Sequence, residues 1–471
     1  MVIIPLKIKP EVAFWRLRNC ITPFWLDSGK GDTDRSRFSI ISANPVGTYE
    51  IDSFGKAIYT VGVSFKEGIS SPRFSEKASL DAFELLRRVL KSRKEHLMHT
   101  EENVNPEWEH LKSLLPFFSG GVGYLSYEAR HLIEKLPKAA KADFTIPWGR
   151  FDFYDWSFVY DHQMDQGYLV TPYSLLDLEP VKNLLETDCE MRIQEGPFIS
   201  SELVSNMTKE TYQNAIGTIK AYIRSGDIYQ MNMTQRFSAP ALANKDPISL
   251  YYNLRRVNPA PFSAFLSYDQ FSVMCSSPER FVKVRDGLVE TRPIKGTVPR
   301  SADSEQDLKN IHWLKNSEKD KSELLMIVDL ERNDLSKIAD KGTVAVPELF
   351  VIESYPTVHH LVSSVTAKLA KDKDLVDVIV ATFPGGSITG TPKIRAMQII
   401  DTLEPTARNL YTGSIGYLSD CGALDFNIVI RTIVHQDQKY HYQVGGGIVW
   451  DSLTESEYEE CFHKGRALVR A

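Results

Sequence analysis

Two pairs of carboxylates in the chain have a spacing that would let them share a metal ion. Asp320 is followed three residues later by Glu323, and Glu457 is followed three residues later by Glu460. In an α-helix, side chains three residues apart lie on the same face. Mg²⁺ prefers a few carboxylates together with water and substrate oxygens. Two helices that each present such a pair therefore suit one Mg²⁺ ion, which would in turn hold a carboxylate of a substrate.

The first pair belongs to a segment with a clear helix start. Ser317 is a favourable N-cap residue, and acidic residues follow it in the first turn. Paired acids on a helix more often form a solvated face than a site. Segment 324–330, however, is too apolar for a helix that is exposed on all sides. We therefore expect Asp320 and Glu323 at the mouth of a buried region, and we expect the helix of the second pair to begin near Thr454.

Lys295 is the candidate nucleophile. It follows three runs of alternating apolar residues that contain an Asp-Gly turn at 286–287. Pro293 removes a backbone donor and Gly296 relaxes the sterics, so the pattern predicts that the strand ends in an exposed turn that presents Lys295. A surface lysine is the commoner interpretation of such a residue. In a closed site, the same amine can act as a nucleophile or base.

Two glycine-rich segments could supply backbone amides to an anion. Segment 383–393 leads into a predicted helix with Thr391 as N-cap and Pro392 at the first position. It is not a P-loop, because Thr-Pro stands where that motif needs Lys followed by Ser or Thr. A helix N-terminus still favours a carboxylate. The three glycines at 445–447 would let main-chain amides approach a ligand.

Further candidates lie in predicted strands. A strand at 358–363 would carry His359 and His360 on opposite faces, although a lone inward histidine is more often a satisfied core group than a catalyst. Two long strands are predicted around 421–422, with Tyr411, Tyr417 and Arg431 spaced along them. Arg431 would add a fixed positive charge for an anion.

Composition limits the class of protein. The chain has 471 residues, a formal charge of −6 and 42% hydrophobic residues, which is typical of a globular protein of one to about three domains. No basic run suggests nucleic-acid binding. Five scattered cysteines indicate neither a zinc site nor a disulfide framework. Without a signal-peptide pattern or a membrane-length apolar run, we predict a cytoplasmic protein that makes no contact with a membrane.

A set of ordered motifs resembles the chorismate-utilising enzymes. The match consists of Ser225–Gln230, Glu279-Arg280-Phe281, Pro-Ile-Lys-Gly-Thr at 293–297, Glu323 to Asp334, His360 to Ser363, 383–393, 445–449 and Glu457-x-x-Glu460-x-x-x-Lys464. The resemblance implies an α/β (α+β) fold of the anthranilate synthase type, with two packed, antiparallel-rich β-sheets and helices outside in one intertwined unit. Within it, residues 1–200 would form the N-terminal region typical of anthranilate synthase component I, and residues 201–471 the chorismate-binding catalytic region.

Lys295 separates the members of this family. Anthranilate synthase large subunits usually carry Ala in Pro-Ile-x-Gly-Thr, whereas Lys is the mark of the large subunits of aminodeoxychorismate synthases. The resemblance implies that Lys295 attacks C2 of chorismate while the C4 hydroxyl leaves. Ammonia then adds at C4 and expels the lysine, which gives 4-amino-4-deoxychorismate for 4-aminobenzoate and folate synthesis.

The resemblance also implies roles for individual residues. Glu323 and Glu460 correspond to ligands of Mg²⁺, and Lys295, Asp320 and Glu457 to catalytic positions. The substrate-binding positions are Gly296, Thr297, His360, Ser387, Tyr411, Arg431, Gly445 and Gly447. Segments near Ser28, Pro261 and Phe262 resemble the walls of a tryptophan pocket.

The implied partner is a glutamine amidotransferase subunit, since no cysteine of the chain lies in a G-x-C-x-G setting. Three alternatives stay open. Anthranilate synthase component I is the nearest, and an isochorismate or salicylate synthase would work without ammonia. A chorismate-fold protein that only binds tryptophan or a partner belongs to a different class.

Overall fold

The computed structural model describes residues 1–29, 36–62, 81–100, 109–174, 176–200 and 202–470. In these residues it contains 23 strands and 11 α-helices. The strands are β1 (Val2–Leu6), β2 (Phe24–Asp27), β3 (Phe38–Ser42), β4 (Gly47–Ile51), β5 (Ala57–Val61), β6 (Gly120–Leu125), β7 (Gly149–Tyr154), β8 (Ser157–Asp161), β9 (Gln166–Thr171), β10 (Val204–Ser205), β11 (Gln230–Pro240), β12 (Phe262–Ser267), β13 (Phe271–Ser277), β14 (Arg280–Arg285), β15 (Leu288–Arg292), β16 (Ile294–Pro299), β17 (Ala345–Ser354), β18 (Val358–Lys368), β19 (Gly390–Thr391), β20 (Ser414–Ser419), β21 (Leu424–Asn427), β22 (Thr432–Gln436) and β23 (Lys439–Ile448).

The helices connect the strands and cover the sheets. They are α1 (Pro10–Leu17), α2 (Ala82–Thr100), α3 (Glu109–Leu114), α4 (Glu179–Glu186), α5 (Lys209–Arg224), α6 (Pro247–Val257), α7 (Ser304–Asn316), α8 (Glu318–Ser336), α9 (Leu375–Thr382), α10 (Lys393–Leu403) and α11 (Thr454–Arg470). Two short 3₁₀ helices lie at Tyr127–Leu132 and Gly386–Ile388.

The strands form two large sheets. Sheet A has the order β1-β9-β8-β3-β2-β12-β13-β22-β23-β11-β10, with β19 also paired to β11. Sheet B has the order β16-β18-β15-β14-β21-β20-β6-β7-β4-β5, with β17 also paired to β18. All pairings between these strands are antiparallel. The predicted pair of antiparallel-rich sheets is confirmed.

The two sheets pack against each other through a shared apolar core. Phe24 and Val273 of sheet A belong to the same buried cluster as Val122 and Ile415 of sheet B. Alternate residues of a strand point to opposite faces, so each sheet also has an outer apolar face. Helices α1, α5, α6, α10 and α11 cover that face of sheet A, and α2, α8 and α9 cover that of sheet B.

The first 200 residues do not fold apart from the rest. Strands β1, β2, β3, β8 and β9 belong to sheet A, whereas β4 to β7 belong to sheet B. The single intertwined unit is therefore confirmed, and the division near residue 200 stays a prediction. Among the described residues, no helix has both the length and the apolar character needed to cross a membrane.

Local sequence signals explain several of the element ends. The side chains of Thr208 and Ser317 cap α5 and α8 by accepting hydrogen bonds from Thr211 N and Asp320 N, so the predicted cap at Ser317 is confirmed. The predicted cap at Thr391 is wrong by one residue. Thr391 lies in β19, where its carbonyl accepts a hydrogen bond from Tyr229 N, and α10 begins only at Lys393.

Candidate active site

Lys295 does not lie in the exposed turn that the sequence predicts. It lies in β16, which pairs with β18, and only 17% of its side chain is exposed. Gly296 adopts a φ of +77°, and the pairing register shifts between Lys295 and Thr297. The glycine therefore forms an irregularity inside the strand rather than ending it. A Cβ atom at position 296 would lie 2.9 Å from Cγ of Asp320, so only glycine fits there.

The Lys295 amine lies among polar groups from both sheets. Its Nζ is 3.8 Å from a carboxylate oxygen of Glu323 on α8. A Cβ atom at position 447 on β23 would lie 3.1 Å from both Lys295 Nζ and Gln230 Nε2. Gly447 therefore leaves room for the amine beside the backbone of sheet A. The site lies between β16 of sheet B and the β11–β23 pair of sheet A.

The two predicted acid pairs lie near the starts of α8 and α11. A Cβ atom at position 446 would lie 3.0 Å from Glu457 Oε2 and 3.6 Å from Glu460 Oε1, so both acids of α11 approach the same point of β23. The Glu457 carboxylate accepts a hydrogen bond from Ser452 Oγ at 2.7 Å. Burial raises the pKa values of Glu323 and Glu457. Burial acts in the same direction on Glu460, but the charge and hydrogen bond of Lys464 lower the pKa of that carboxyl.

The acids offer the chemistry of a Mg²⁺ site without a complete protein cage. Among the described residues, no three His, Cys, Asp or Glu side chains are close enough together to hold a metal ion. Mg²⁺ commonly takes only one or two protein carboxylates and fills its other positions with water and substrate oxygens. The negative charge of Glu460 contributes to the raised pKa of Glu323. Ammonium groups already contact both, Lys319 at 3.9 Å from Glu323 and Lys464 at 2.6 Å from Glu460. These residues therefore fit a Mg²⁺ ion whose remaining coordination positions are filled by water and substrate oxygens.

Glu279 is a site residue that spacing rules did not find. It lies between β13 and β14 and is only 5% exposed. Burial raises the pKa of its carboxyl to about 7, against the opposing effects of a hydrogen bond from Ser387 and the charges of Lys295 and Arg431. Its place in the Glu-Arg-Phe motif is the one feature of the sequence that could have identified it as a site residue. Gln230 was also missed, and its Oε1 is buried without a hydrogen-bond partner among the described residues.

His360 is held as a neutral side chain. Its Nδ1 is hydrogen-bonded to Thr297 Oγ1 at 2.8 Å, although Thr297 itself is exposed. Its Nε2 is buried and has no partner within the described part of the chain. Burial lowers the pKa of His360 to about 3, and the charge of Arg431 acts in the same direction. A neutral imidazole with one free ring nitrogen is available to a substrate.

Ser387, Tyr411 and Arg431 lie outside long strands. Ser387 is in the 3₁₀ helix at Gly386–Ile388. The prediction that Tyr411 and Arg431 lie along two long strands is wrong. Tyr411 precedes β20, and Arg431, with a φ of +51°, lies between β21 and β22. Burial lowers the pKa of Arg431, and the charge of Glu279 opposes that effect.

The remaining predicted residues divide between this site and a separate cavity. A Cβ atom at Gly445 would lie 2.2 Å from the carbonyl oxygen of Met233, so this glycine allows close pairing of β23 with β11. Ser28, Pro261 and Phe262 all line one cavity of 280 Å³, which we call the inter-sheet cavity. The structure thus brings these three residues together, away from Lys295.

The arrangement of residues around Lys295 agrees with the motifs found in the sequence. Residues 63–470 match the family model described as chorismate binding enzyme, and the chain belongs to this family. It is therefore an enzyme that acts on chorismate.

Individual relatives refine this class. The chain is 40% identical over 460 residues to aminodeoxychorismate synthase component 1 of Escherichia coli (strain K12), which covers 98% of this chain and 95% of the relative. It is 38% identical over 411 residues to anthranilate synthase component 1 of Saccharolobus solfataricus, which covers 86% of this chain and 92% of the relative. The crystal structure of anthranilate synthase component I from Streptococcus pneumoniae TIGR4 aligns with a TM-score of 0.76 and 27% identity over 93% of this chain and 94% of the other.

Proposed function

We propose that this chain is the chorismate-aminating component of an aminodeoxychorismate synthase. The observation that carries the proposal is Lys295, whose amine lies between Glu323 and the bare backbone of Gly447. Relatives named for this activity and for anthranilate synthesis are both similar to the chain, so the family alone does not choose between them. A lysine in Pro-Ile-x-Gly-Thr favours amination at C4 of chorismate.

In the first step, the lone pair of the Lys295 amine attacks C2 of chorismate, the ring double bond shifts, and the C4–O bond breaks. The departing hydroxide needs a proton. Glu279 is suited to supply it, because its buried carboxyl has a pKa raised to about 7 and lies close enough to Lys295 to be affected by its charge. The hydroxyl then leaves as water, and Glu279 is left as a carboxylate beside Lys295 and Arg431.

In the second step, ammonia adds at C4, the double bond shifts back, and Lys295 leaves C2. The ammonium formed at C4 returns a proton to the Glu279 carboxylate, which gives 4-amino-4-deoxychorismate and regenerates both the acid and the lysine amine. The covalent adduct divides one difficult substitution into two easier ones. We propose that the ammonia comes from a separate glutamine amidotransferase subunit, in keeping with the term component 1 in the names of the relatives. The activity would serve 4-aminobenzoate and folate biosynthesis in the cytoplasm.

Other residues of the site would bind and orient chorismate. Glu323 and Glu460 would hold Mg²⁺, which when bound neutralises and orients a substrate carboxylate. Arg431 and the backbone of Gly447 would contact anionic oxygens of the substrate, and His360 would offer its free Nε2. Asp320 and Glu457 would support the two metal ligands from the preceding turn of each helix.

The direct test is product analysis. The purified chain is incubated with chorismate, MgCl₂ and ammonium, and the products are identified by mass spectrometry. The proposal requires a product in which amine replaces the C4 hydroxyl and the enolpyruvyl group is retained. Anthranilate with free pyruvate would identify an anthranilate synthase, and conversion without ammonium an isochorismate or salicylate synthase. Tryptophan binding without any turnover would identify a binding protein.

A second proposal concerns the inter-sheet cavity. It is lined by Ser28, Pro261 and Phe262 and also by charged groups such as Asp27 and Arg280. A cavity of 280 Å³ with apolar walls and both signs of charge suits a zwitterionic aromatic amino acid. We propose tryptophan as its occupant. Protection of the chain against heat by tryptophan, but not by alanine, would test this.

A further inference from the structure

Arg408 is a fully buried guanidinium that does not itself approach Lys295. It lies between α10 and β20 and is 2% exposed. Its Nε and Nη2 bind the two carboxylate oxygens of Glu404 at 2.8 and 2.7 Å. Such a buried ion pair is weak evidence for a stabilising role, because desolvation offsets much of the attraction. Its other contacts indicate what it does.

The remaining donors of Arg408 bind three different segments. Nη1 donates to the Ile388 carbonyl at 3.0 Å and to Thr412 Oγ1 at 3.2 Å. Nη2 donates to the Asn232 carbonyl at 2.9 Å. Each nitrogen of the guanidinium is therefore used, and the three segments are the 3₁₀ helix, the turn before β20, and strand β11.

Two of these contacts lie directly beside predicted substrate-binding residues. Ile388 follows Ser387, which hydrogen-bonds to Glu279. Thr412 follows Tyr411, and Tyr411 N donates to the carbonyl of Arg408 at 3.2 Å. One rigid side chain thus joins the segment that carries Ser387 to the turn that carries Tyr411.

The network continues into sheet A. Glu404 Oε1 accepts hydrogen bonds from Thr234 N at 3.1 Å and Thr234 Oγ1 at 2.8 Å on β11. Asn232 on the same strand donates from Nδ2 to the Ile388 carbonyl at 3.2 Å. The Ile388 carbonyl is therefore fixed both by Arg408 and by the strand that Arg408 binds.

We infer that Arg408 is a positioning residue that sets the separation of Ser387 and Tyr411 and so orients chorismate in the site. The inference rests on the proposed function, since that function makes Ser387 and Tyr411 substrate contacts. Lysine cannot replace the guanidinium here. Its single ammonium group can keep the Glu404 ion pair, but it lacks the planar fork that reaches Ile388, Asn232 and Thr412 together.

The test compares Arg408→Lys with Arg93→Lys. Arg93 is a matched control, because it is 4% exposed and binds both oxygens of Asp420 at 2.9 and 2.8 Å, but it joins α2 to the loop after β20. The readouts are Tm, kcat and KM for chorismate with saturating Mg²⁺ and ammonium, and the Kd of chorismate by calorimetry. We expect Arg408→Lys to raise KM and Kd roughly 10-fold, with a smaller fall in kcat. We expect Arg93→Lys to lower Tm to a similar extent and to change KM less than about twofold.

The inference is overturned if Arg408→Lys lowers Tm but leaves KM and Kd within twofold of the wild type. If Arg408→Lys does not fold, Thr412→Val decides the matter, since it keeps the side-chain shape but removes the hydroxyl through which Arg408 reaches Tyr411. That hydroxyl accepts from Arg408 Nη1 at 3.2 Å and donates to the Tyr411 carbonyl at 2.6 Å. A rise of KM in Thr412→Val supports the inference, and an unchanged KM overturns it. Failure of the proposed function is seen separately, in a wild-type chain that binds chorismate but forms no aminated product.

Discussion

The site around Lys295 and the inter-sheet cavity both contain polar residues. The two regions differ in whether those residues have partners within the protein. In the site, His360 Nε2 and Gln230 Oε1 are buried without partners among the described residues. In the cavity, several charged groups are paired within the protein. Arg280 binds both oxygens of Asp425 at 2.9 and 3.0 Å, and Arg37 binds Asp161 at 2.8 Å.

This difference separates a site that is completed by its substrate from one that is complete beforehand. A buried polar atom without a partner costs free energy, and a bound substrate could satisfy the two such atoms in this site. Paired charges around a cavity impose no such cost, so we expect the fold to tolerate substitutions there. Substitutions should therefore affect catalysis in the first region and ligand binding alone in the second.

The largest expected effect is that of Lys295→Ala. Without the nucleophile the covalent route is closed, and we expect amination to fall by roughly 10³-fold or more. Product formation from chorismate and ammonium, followed by mass spectrometry, measures it. Lys319→Ala is the control, because Lys319 contacts the same Glu323 but is 62% exposed, and it should retain most of the activity. Full activity of Lys295→Ala would exclude the adduct.

Glu279→Gln should have the next largest effect. Because the amide cannot donate the proton that the leaving hydroxide needs, we expect kcat to fall roughly 10²- to 10⁴-fold. Burial raises the pKa of Glu279 to about 7, and the acid is active in its protonated form, so wild-type activity should decline as pH rises through this range.

The pH profile separates this role from a structural one. If Glu279 donates the proton, the residual activity of Glu279→Gln should lose the decline near pH 7 while its Tm stays close to that of the wild type. A variant that keeps both its rate and its wild-type pH profile would rule out Glu279 as the donor.

A smaller effect is expected for Glu460→Gln. Removing one carboxylate ligand should raise the Mg²⁺ concentration for half-maximal activity roughly 10-fold or more, with a lesser change at saturating Mg²⁺. Glu455→Gln is the matched control on the same helix, since Glu455 is 53% exposed and pairs with Lys209. Equal Mg²⁺ dependence in the two variants would contradict the assignment of Glu460.

The smallest catalytic effect is expected in the inter-sheet cavity. Ser28→Leu should fill part of the cavity and remove the tryptophan-dependent rise in Tm, while kcat/KM for chorismate changes less than about threefold. Thermal unfolding with and without tryptophan measures the first quantity, and steady-state kinetics the second. A large loss of amination in Ser28→Leu would break the distinction between the two regions.

Local patterns predicted much of the fold. The cap at Ser317, the turn at 286–287 and the start of α11 follow from interactions between residues that are close in the sequence. The two acid pairs lie on helices as their spacing indicated. The fold as a whole came from the family resemblance, because no local pattern specifies which strands of a large antiparallel sheet become neighbours.

The errors arose where long-range pairing overrides a local signal. Glycine favours turns, so Gly296 is predicted to end the strand. Because the residues on both sides of it pair with β18, it forms an irregularity within the strand instead. Thr391 is a good N-cap by type, yet its pairing with β11 holds it in a strand. Glu279 gave no spacing signal, because its environment is built from Ser387, Lys295 and Arg431, which are distant in sequence.

The order of strands has a consequence for synthesis of the chain. The hairpin β22–β23 lies between β13 and β11 in sheet A, and β20–β21 lies between β14 and β6 in sheet B. Neither sheet can be completed until these late segments have emerged from the ribosome. Before then, the strands on either side have unpaired backbone edges, which favour association with other chains. A nascent chain of this protein should therefore need protection by chaperones until strands β20 to β23 have been made.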